Sequence, residues 1–296
     1  MQYIQEGLKD FNLDHIFDCG QCFRWEREPD GSYTGTAMGT AVNMRIEEGT
    51  QASDNGSEKE KTLIIDNCSR EDFEGKWRSY LDLDRDYGEV KSSFSGEEIG
   101  KAAEYGYGIR ILKQEFWESL ISFIISQNNN IPRIKGCIEN VARNFGEKIC
   151  EYRGREFFAI PEAERLAALS EEDLAGCRLG YRAPYLIKTA RMIVDNGGPD
   201  AVEAQLRKCG DFEEVCAALR GYPGVGPKVA SCIALFGLGF LDAFPIDVWM
   251  RRVMHRLYGI DEKDVRAMSE YAKANFGCYG GIAQQYLFYY IRGLEK

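Results

Sequence analysis

The hydrophobic period of this chain changes once along its length, and that change limits the fold more than any other feature. In the first third, apolar and aromatic residues alternate over short runs, Gly20 to Trp25, Ser32 to Met38, Ala41 to Ile46 and Thr62 to Asp66, broken by turn signals such as Pro29-Asp30-Gly31. A repeat of two is the side-chain period of a strand. From about residue 95 onward the period is helical: Phe116, Leu120, Phe123 and Ile124 share one face, and the pattern breaks at Gln127-Asn128-Asn129-Asn130. It resumes over Ile131 to Phe145, with Pro132 in the first turn, and over Ala183 to Asn196, which stops at Gly197-Gly198. Further helices are predicted at 200–208, 211–220, 227–238, 248–258, 262–275 and 280–292. Residues 48–61 are polar throughout and are expected to form an exposed, mobile loop between strands. The acidic run LDLDRD after Tyr80 reads as a link between domains. The predicted fold class is therefore α+β: a small antiparallel β-sheet domain over residues 1–86, then a helical domain over 87–296.

Composition excludes several classes. The amino terminus carries charges and no apolar core of a signal peptide, and the longest nearly apolar stretch, Val229 to Leu241, is too short to span a bilayer. The expectation is a protein that is neither secreted nor membrane-bound. Ten cysteines without a secretion signal imply reduced thiols. Cys19 and Cys22 form a C-x-x-C pair, but no second pair follows, so a zinc site lacks two ligands. The four-cysteine run of an iron–sulfur cluster is also absent. The net charge of −10 argues at first against a polyanionic partner. Its distribution softens that objection: residues 1–100 hold 11 Lys/Arg against 22 Asp/Glu, whereas residues 101–296 hold 26 against 25. Any phosphate-binding face must then be local.

The segment Gly221-Tyr222-Pro223-Gly224-Val225-Gly226-Pro227-Lys228 lies between two predicted helices. Gly224 and Gly226 permit tight backbone geometry, and Pro227 suits the first helical position. Such a turn exposes N–H groups at a helix N-terminus, where a phosphate binds well; taken alone it is equally a plain helix–turn–helix corner. Lys228 opens the apolar helix VASCIALFGLGF, where the dipole does not reward a positive charge. A lysine there is either a solvated surface residue or a nucleophile. Cys232 falls one turn on, on the same face. Nineteen residues after Lys228, Asp247 opens another helix in Phe244-Pro245-Ile246-Asp247-Val248-Trp249. It reads as an N-cap that can still point one carboxylate oxygen elsewhere.

GYPGVGPKVASCI followed by FPIDVWMRR resembles the helix-hairpin-helix, Gly/Pro–Asp signature of base-excision DNA glycosylases, and most closely that of the 8-oxoguanine DNA glycosylases. CGQCFRW at 19–25, ISQNNNIPRI at 125–134, LGYRAPY at 179–185 and IAQQYLF at 282–288 carry the same resemblance, in the family's order, over nearly the whole chain. It implies a TATA-binding-protein-like sheet domain followed by an all-α helix-hairpin-helix glycosylase domain. It also implies that the protein excises 8-oxoguanine opposite cytosine from duplex DNA, with a slower strand cleavage. By resemblance Lys228 is the nucleophile that forms a Schiff base with the sugar, and Asp247 supports the cationic transition state. Gly20 would accept the N7 hydrogen that 8-oxoguanine has and guanine lacks. Gln284 would bind the flipped base's Watson–Crick edge, with Phe288 and Cys232 on its two ring faces. Asn128, Arg133, Tyr181 and Arg182 match positions around the vacated gap and the orphaned cytosine, and Gly224, Gly226 and Trp249 match DNA-contacting positions.

Trp249 stands where eukaryotic members carry a histidine near a phosphate, which puts that contact in question. The resemblance implies no cofactor and no catalytic metal, with hairpin carbonyls able to hold a structural monovalent or calcium ion. It implies a monomer whose partner is lesion-bearing double-stranded DNA, located in the cytoplasm of a bacterium or the nucleus of a eukaryote. Two rival readings are an alkyl-purine glycosylase, which has the hairpin and the aspartate but needs no lysine, and a non-catalytic DNA-binding module. Covalent trapping through an amine separates both from the lysine enzyme.

Overall fold

The computed structural model describes residues 1–48 and 60–294. Apart from its ends, the polar loop expected over 48–61 lies outside the described residues. Packing groups the chain into two units, one comprising residues 1–35, 41–113 and 246–296 and the other residues 36–40 and 114–245.

The first unit is built on a five-stranded antiparallel sheet. Its strands are β1 (Gln2–Leu8), β2 (Trp25–Arg27), β3 (Tyr33–Ala37), β4 (Thr40–Glu48) and β5 (Lys61–Asp66), in the order β1-β5-β4-β3-β2. The register places Gln2 opposite Asp66 on one side of β5 and Asn43 opposite Asp66 on the other. β5 is thus flanked on both edges, and its Leu63, Ile64 and Ile65 are all buried. β3 and β4 are joined by Met38 and Gly39 alone, both at positive φ (51° and 68°), the hairpin turn whose twist matches that of the strands.

Against the sheet, Trp25 stacks on Phe17 with centroids 4.2 Å apart and donates its indole N–H to the Tyr80 hydroxyl at 2.9 Å. Burying that ring costs no unpaired N–H, which is the usual penalty of an interior Trp. Gly35 makes room for it, since a Cβ there would stand 2.5 Å from the Trp25 ring. Trp77 and Tyr80 come from the helical segment Arg70–Tyr80, opened by a reciprocal Ser69–Asp72 capping box. The helices Val248–Tyr258, Val265–Phe276 and Gly280–Leu294 return to this unit, and Glu97–Tyr105 packs on the last of them.

The expected strand over Gly20 to Trp25 is a correction: only Trp25 is in a strand, and residues 13–18 form a short helix capped by the Asn12 side chain. The loop after it takes its hydrogen bonds from a side chain instead of a neighbouring strand. Gln21 donates to the carbonyls of Ile16 (2.9 Å) and Arg110 (2.8 Å) and accepts from the Leu112 N–H (2.9 Å).

The second unit is helical, with one addition that its periodicity hides. The helices Phe116–Ser126, Ile131–Phe145, Ala183–Asp195, Pro199–Leu206, Phe212–Leu219 and Pro227–Phe236 fall where the sequence places them, to within a few residues at each end. Between them, Lys148–Tyr152 and Arg155–Phe158 pair as a small antiparallel hairpin around Arg153 and Gly154, both at positive φ. Pro227–Phe236 is the buried axis of the unit: every residue from Val229 to Phe236 is buried. Its close approach to Phe116–Ser126 depends on small residues, as a Cβ at Gly237 would stand 2.9 Å from Ser119. Phe123 and Phe236 stack across that contact at 5.4 Å.

Candidate active site

The turn between Phe212–Leu219 and Pro227–Phe236 is held from behind. Thr189 donates its hydroxyl to the Pro223 carbonyl at 2.9 Å, and Val225 is buried with its N–H on the Tyr222 carbonyl at 3.0 Å. Gly224 has φ +80°, and a Cβ on it would stand 2.8 Å from the Tyr185 ring, so both conformation and packing require glycine there. Gly226 differs: its φ is −85° and its Cβ direction is open space. Nothing in the fold demands a glycine at 226. Gly226 is the N-cap of the next helix and provides no side-chain cap, and the first intrahelical bond is Ala230 N–H to Gly226 carbonyl. The first N–H groups of the helix are therefore left for an outside acceptor, an arrangement that suits an anion.

Lys228 is half-buried, with Nζ 5.5 Å from the centroid of the Phe123 ring. Among the described residues of its unit, no carboxylate or carbonyl engages that Nζ. Its surroundings are an aromatic face and the positive end of a helix, a setting that withholds the ion-pair partners a surface lysine usually finds. Cys232 lies one turn further along the same helix and is buried.

Asp247, in the other unit, is the N-cap of Val248–Tyr258: Oδ1 accepts the Met250 N–H at 2.8 Å. Within that unit, among the described residues, the second carboxylate oxygen accepts nothing. The cap fixes the side chain with one oxygen and leaves the other uncommitted. On the same helix the Arg252 guanidinium lies over the Trp249 ring, 5.4 Å from its centroid, and Val248 beside it is exposed.

The same unit carries the remaining candidates for holding a base. Gly20 has φ +85°, a conformation that favours glycine, and no donor among the described residues takes its carbonyl. On either side of it Cys19 and Cys22 are buried free thiols; burial pushes the Cys19 thiol up to about 12, and its Sγ donates to the Ile16 carbonyl at 3.3 Å. A neutral thiol bound to a carbonyl is a packing group. Gln284 is only 4% exposed, and its Oε1 accepts from Gln285 at 2.8 Å. Phe288, one turn on, is half-buried, with the Arg292 guanidinium 5.9 Å from its ring centroid. The buried neighbour holds Gln284, which therefore enters any complex with its rotamer already set.

Four candidates gather in the second unit around the break after Phe116–Ser126. Asn128 is exposed with φ +45°, a left-handed conformation that asparagine tolerates better than most residues. Asn130 caps the next helix by accepting the Arg133 N–H at 3.0 Å, leaving the Arg133 side chain exposed at its first turn. Tyr181 is 51% exposed, whereas Arg182 beside it is 3% exposed. Arg182 donates from Nε to the Gln127 carbonyl (2.9 Å), from Nη1 to the Leu179 carbonyl (3.1 Å), and from Nη2 to the carbonyls of Asn128 (3.0 Å) and Gln127.

Sequence reasoning missed four supporting residues: Phe123, Gln21, Tyr185 and Thr189. Gln21 and Tyr185 lie inside the segments CGQCFRW and LGYRAPY, so those segments carry the signal; Phe123 and Thr189 read only as helix-face residues. Among the described residues no group of three or more His, Cys, Asp or Glu side chains is placed to hold a metal, and no helix is long and apolar enough to cross a membrane.

Comparison with known proteins gives concordant results. Residues 3–120 match the family model described as 8-oxoguanine DNA glycosylase, N-terminal domain, and residues 121–276 match that of the HhH-GPD superfamily base excision DNA repair protein. The chain is 32% identical over 289 residues to the N-glycosylase/DNA lyase OGG1 of Arabidopsis thaliana, covering 94% of this chain and 77% of that protein. It is similar to the solved structure of MBOgg1 in complex with a low affinity DNA ligand, with a TM-score of 0.90, 42% identity, and coverage of 100% of this chain and 96% of that one. The Clostridium acetobutylicum 8-oxoguanine glycosylase/lyase, solved with double-stranded DNA containing cytosine opposite 8-oxoguanine, superposes with a TM-score of 0.87 at 36% identity, covering 99% of each chain.

Proposed function

Because the chain belongs to the N-glycosylase/DNA lyase family of helix-hairpin-helix base-excision proteins, we propose that Lys228 is its nucleophile and that the residues described above divide the work of its reaction. The enzyme removes 8-oxoguanine from DNA and carries an associated lyase activity. The observation that supports the assignment is Lys228 at the hairpin exit, without an ion-pair partner in its unit and against the Phe123 face. An amine that attacks carbon must be free of such a partner and must reach the neutral form.

The base leaves the stack first, since its sugar carbon is inaccessible within the duplex. The Lys228 nitrogen then bonds to C1′ as the glycosidic bond breaks, and the bonding pair leaves with the base, which takes up a proton. The nitrogen then gives up a proton, and its restored lone pair opens the sugar ring, with the ring oxygen taking up a proton, to give a protonated Schiff base. Loss of a C2′ proton from that species expels the 3′ phosphate, which is the lyase step. Asp247 contributes negative charge where the sugar becomes cationic, and its cap bond keeps that charge from having to reorganise. The Gly20 carbonyl accepts the N7 hydrogen of the lesion; guanine has none, and a site built around one hydrogen bond discriminates strongly against a partner that cannot make it. Gln284 meets the Watson–Crick edge, and Phe288 and Cys232 take the ring faces. The hairpin N–H groups with Gly224 and Gly226 bind a phosphate, the hairpin carbonyls are the groups that would hold a structural monovalent or calcium ion, and Trp249 with Arg252 flanks the strand. The protein acts as a monomer on nucleoid or nuclear DNA, without a cofactor.

On the other side of the duplex, Asn128 fills the gap, Tyr181 wedges into the stack, and Arg133 reads the orphaned cytosine. An arginine fork aimed at acceptor atoms discriminates by about 1–3 kcal/mol, so excision opposite cytosine should exceed excision opposite adenine by roughly ten- to a hundredfold. Single-turnover rates for all four opposite bases test this reading. Arg133→Met should shrink the ratio mainly by slowing the cytosine-paired substrate; equal rates in the parent, or an unchanged ratio in the variant, would reduce Arg133 to a surface cation.

A further inference from the structure

Two glutamines stand side by side on the helix Gly280–Leu294, and each is only 4% exposed. The Gln285 Nε2 donates to the Gln284 Oε1 at 2.8 Å. Within their unit, among the described residues, nothing accepts from the Gln284 Nε2, so its two N–H groups are the free end of that amide. The Gln285 Oε1 is buried and has no partner among the described residues. Leaving a buried acceptor unpaired costs free energy, and the pair carries that cost as it stands. The reversed arrangement costs more. With both amides turned, Gln284 would donate to Gln285, and both N–H groups of Gln285 would be stranded in the interior, where an orphaned donor is rarer than an orphaned carbonyl. Gln284 thus has one preferred polarity before any base arrives.

We infer that Gln285 is a positioning residue that sets specificity: its bond to Oε1 holds the Gln284 amide in the polarity that fits a guanine-type edge and keeps it from turning to fit an adenine-type edge. This rests on the proposed contact of Gln284 with the Watson–Crick edge. 8-Oxoguanine presents a carbonyl acceptor at C6 beside an N1–H donor. 8-Oxoadenine presents an amino donor at C6 beside a bare N1 acceptor. An amide with Nε2 free and one lone pair of Oε1 left pairs with the first order; against the second it sets donor on donor and acceptor on acceptor. Both lesions carry the N7 hydrogen, so the Gly20 carbonyl does not tell them apart. The choice between them falls to Gln284, and its direction to Gln285.

The test measures single-turnover excision of 8-oxoguanine and of 8-oxoadenine, each opposite cytosine, by the parent, Gln285→Met, Gln285→Leu and Gln284→Ala. Cleavage of a duplex abasic site serves as the reaction that needs no base. Gln284→Ala gives the ratio of the two excision rates that remains without edge reading, and the parent's preference for 8-oxoguanine should exceed it by roughly ten- to a hundredfold, the discrimination of one bidentate contact. Methionine and leucine fill the interior but have no N–H to give. With the amide free to turn, about half of the molecules hold the right polarity for either base. Both Gln285 variants should therefore lose about twofold on 8-oxoguanine, gain about fivefold or more on 8-oxoadenine, and cleave the abasic duplex within about twofold of the parent per folded molecule. Adding Gln285→Met to Gln284→Ala should change the ratio no further.

A ratio within about twofold of the parent's in both Gln285 variants, while Gln284→Ala lowers it, would overturn the inference and leave the reading of Gln284 standing. An equal loss on both lesions and on the abasic duplex would also overturn it, by reducing Gln285 to a packing residue. So would a further fall of the ratio when Gln285→Met is added to Gln284→Ala, since Gln285 would then act on the base by another route. If Gln285→Met does not fold, Gln285→Leu carries the same comparison. Should Gln284→Ala keep the parent's ratio, the reading of Gln284 falls, and this inference falls with it.

Discussion

Asp247 caps a helix and is proposed to stabilise the cationic transition state, and one substitution separates the two. Its Oδ1 caps a helix, and asparagine caps about as well as aspartate, so Asp247→Asn should change the thermal melt by no more than about 0.5 kcal/mol equivalent. It removes the negative charge that the proposed reaction uses against the developing cation, so single-turnover excision should drop about a hundredfold or more. A large melting loss with normal chemistry in the folded fraction would leave Asp247 as a cap alone. His15 gives a second residue-scale expectation. Its pKa is lowered from the ordinary 6.5, chiefly by burial, while its Nδ1 pairs with the Tyr107 carbonyl at 2.7 Å. A histidine whose folded pKa is depressed binds fewer protons folded than unfolded, so its stabilising contribution is present above about pH 6.5 and is lost as pH falls through the folded value. Denaturant unfolding should therefore show a decline below pH 6.5 that is shallower in His15→Gln; an identical slope in the variant would remove His15 from the account.

At the scale of elements, the hairpin holds two glycines of different kinds. Gly224→Ala meets both a positive φ and the Tyr185 ring, so it should destabilise the fold by about 1–3 kcal/mol and weaken DNA binding with it. Gly226→Ala meets open space and ordinary backbone, so melting should change by less than about 0.5 kcal/mol. Loss of DNA affinity there without loss of stability would mark the close approach of a phosphate; retention of both would remove position 226 from the interface. Elements of this kind were legible in the sequence because their signals are local. Asn130, Asp247 and Asp264 cap their helices through bonds three residues long, and Pro132 and Pro227 lie in first turns. β1 escaped notice because its partner β5 lies some sixty residues away and its own pattern is mostly exposed. Gly20 to Trp25 looked like a strand because aromatic residues mark core as readily as sheet; the deciding bonds come from Gln21 to residues 110 and 112. The Arg182 fork was hidden for the same reason, since three of its four bonds go to carbonyls 54 and 55 residues away.

For the whole molecule, the acidity of the first hundred residues and the near-neutral remainder confine DNA binding to local features, which the proposed function assigns to the motif segments. The thiols report on the integrity of the fold as a whole. Cys278 is exposed, Cys150, Cys209 and Cys216 are partly so, and Cys19, Cys22, Cys68, Cys137, Cys177 and Cys232 are buried. A thiol reagent near neutral pH should titrate Cys278 first and reach the buried six only on unfolding; rapid labelling of Cys19 or Cys22 in the native protein would contradict the packing described here. The central claim, that Lys228 becomes covalently joined to the sugar, is tested most directly by borohydride reduction during turnover on a duplex containing 8-oxoguanine, with the adduct mapped by proteolysis. One protein–DNA adduct is expected, on the peptide containing Lys228, and it should be lost in Lys228→Gln, which still binds the lesion duplex. An adduct on another residue, trapping that survives in Lys228→Gln, or excision by that variant within about tenfold of the parent would contradict it.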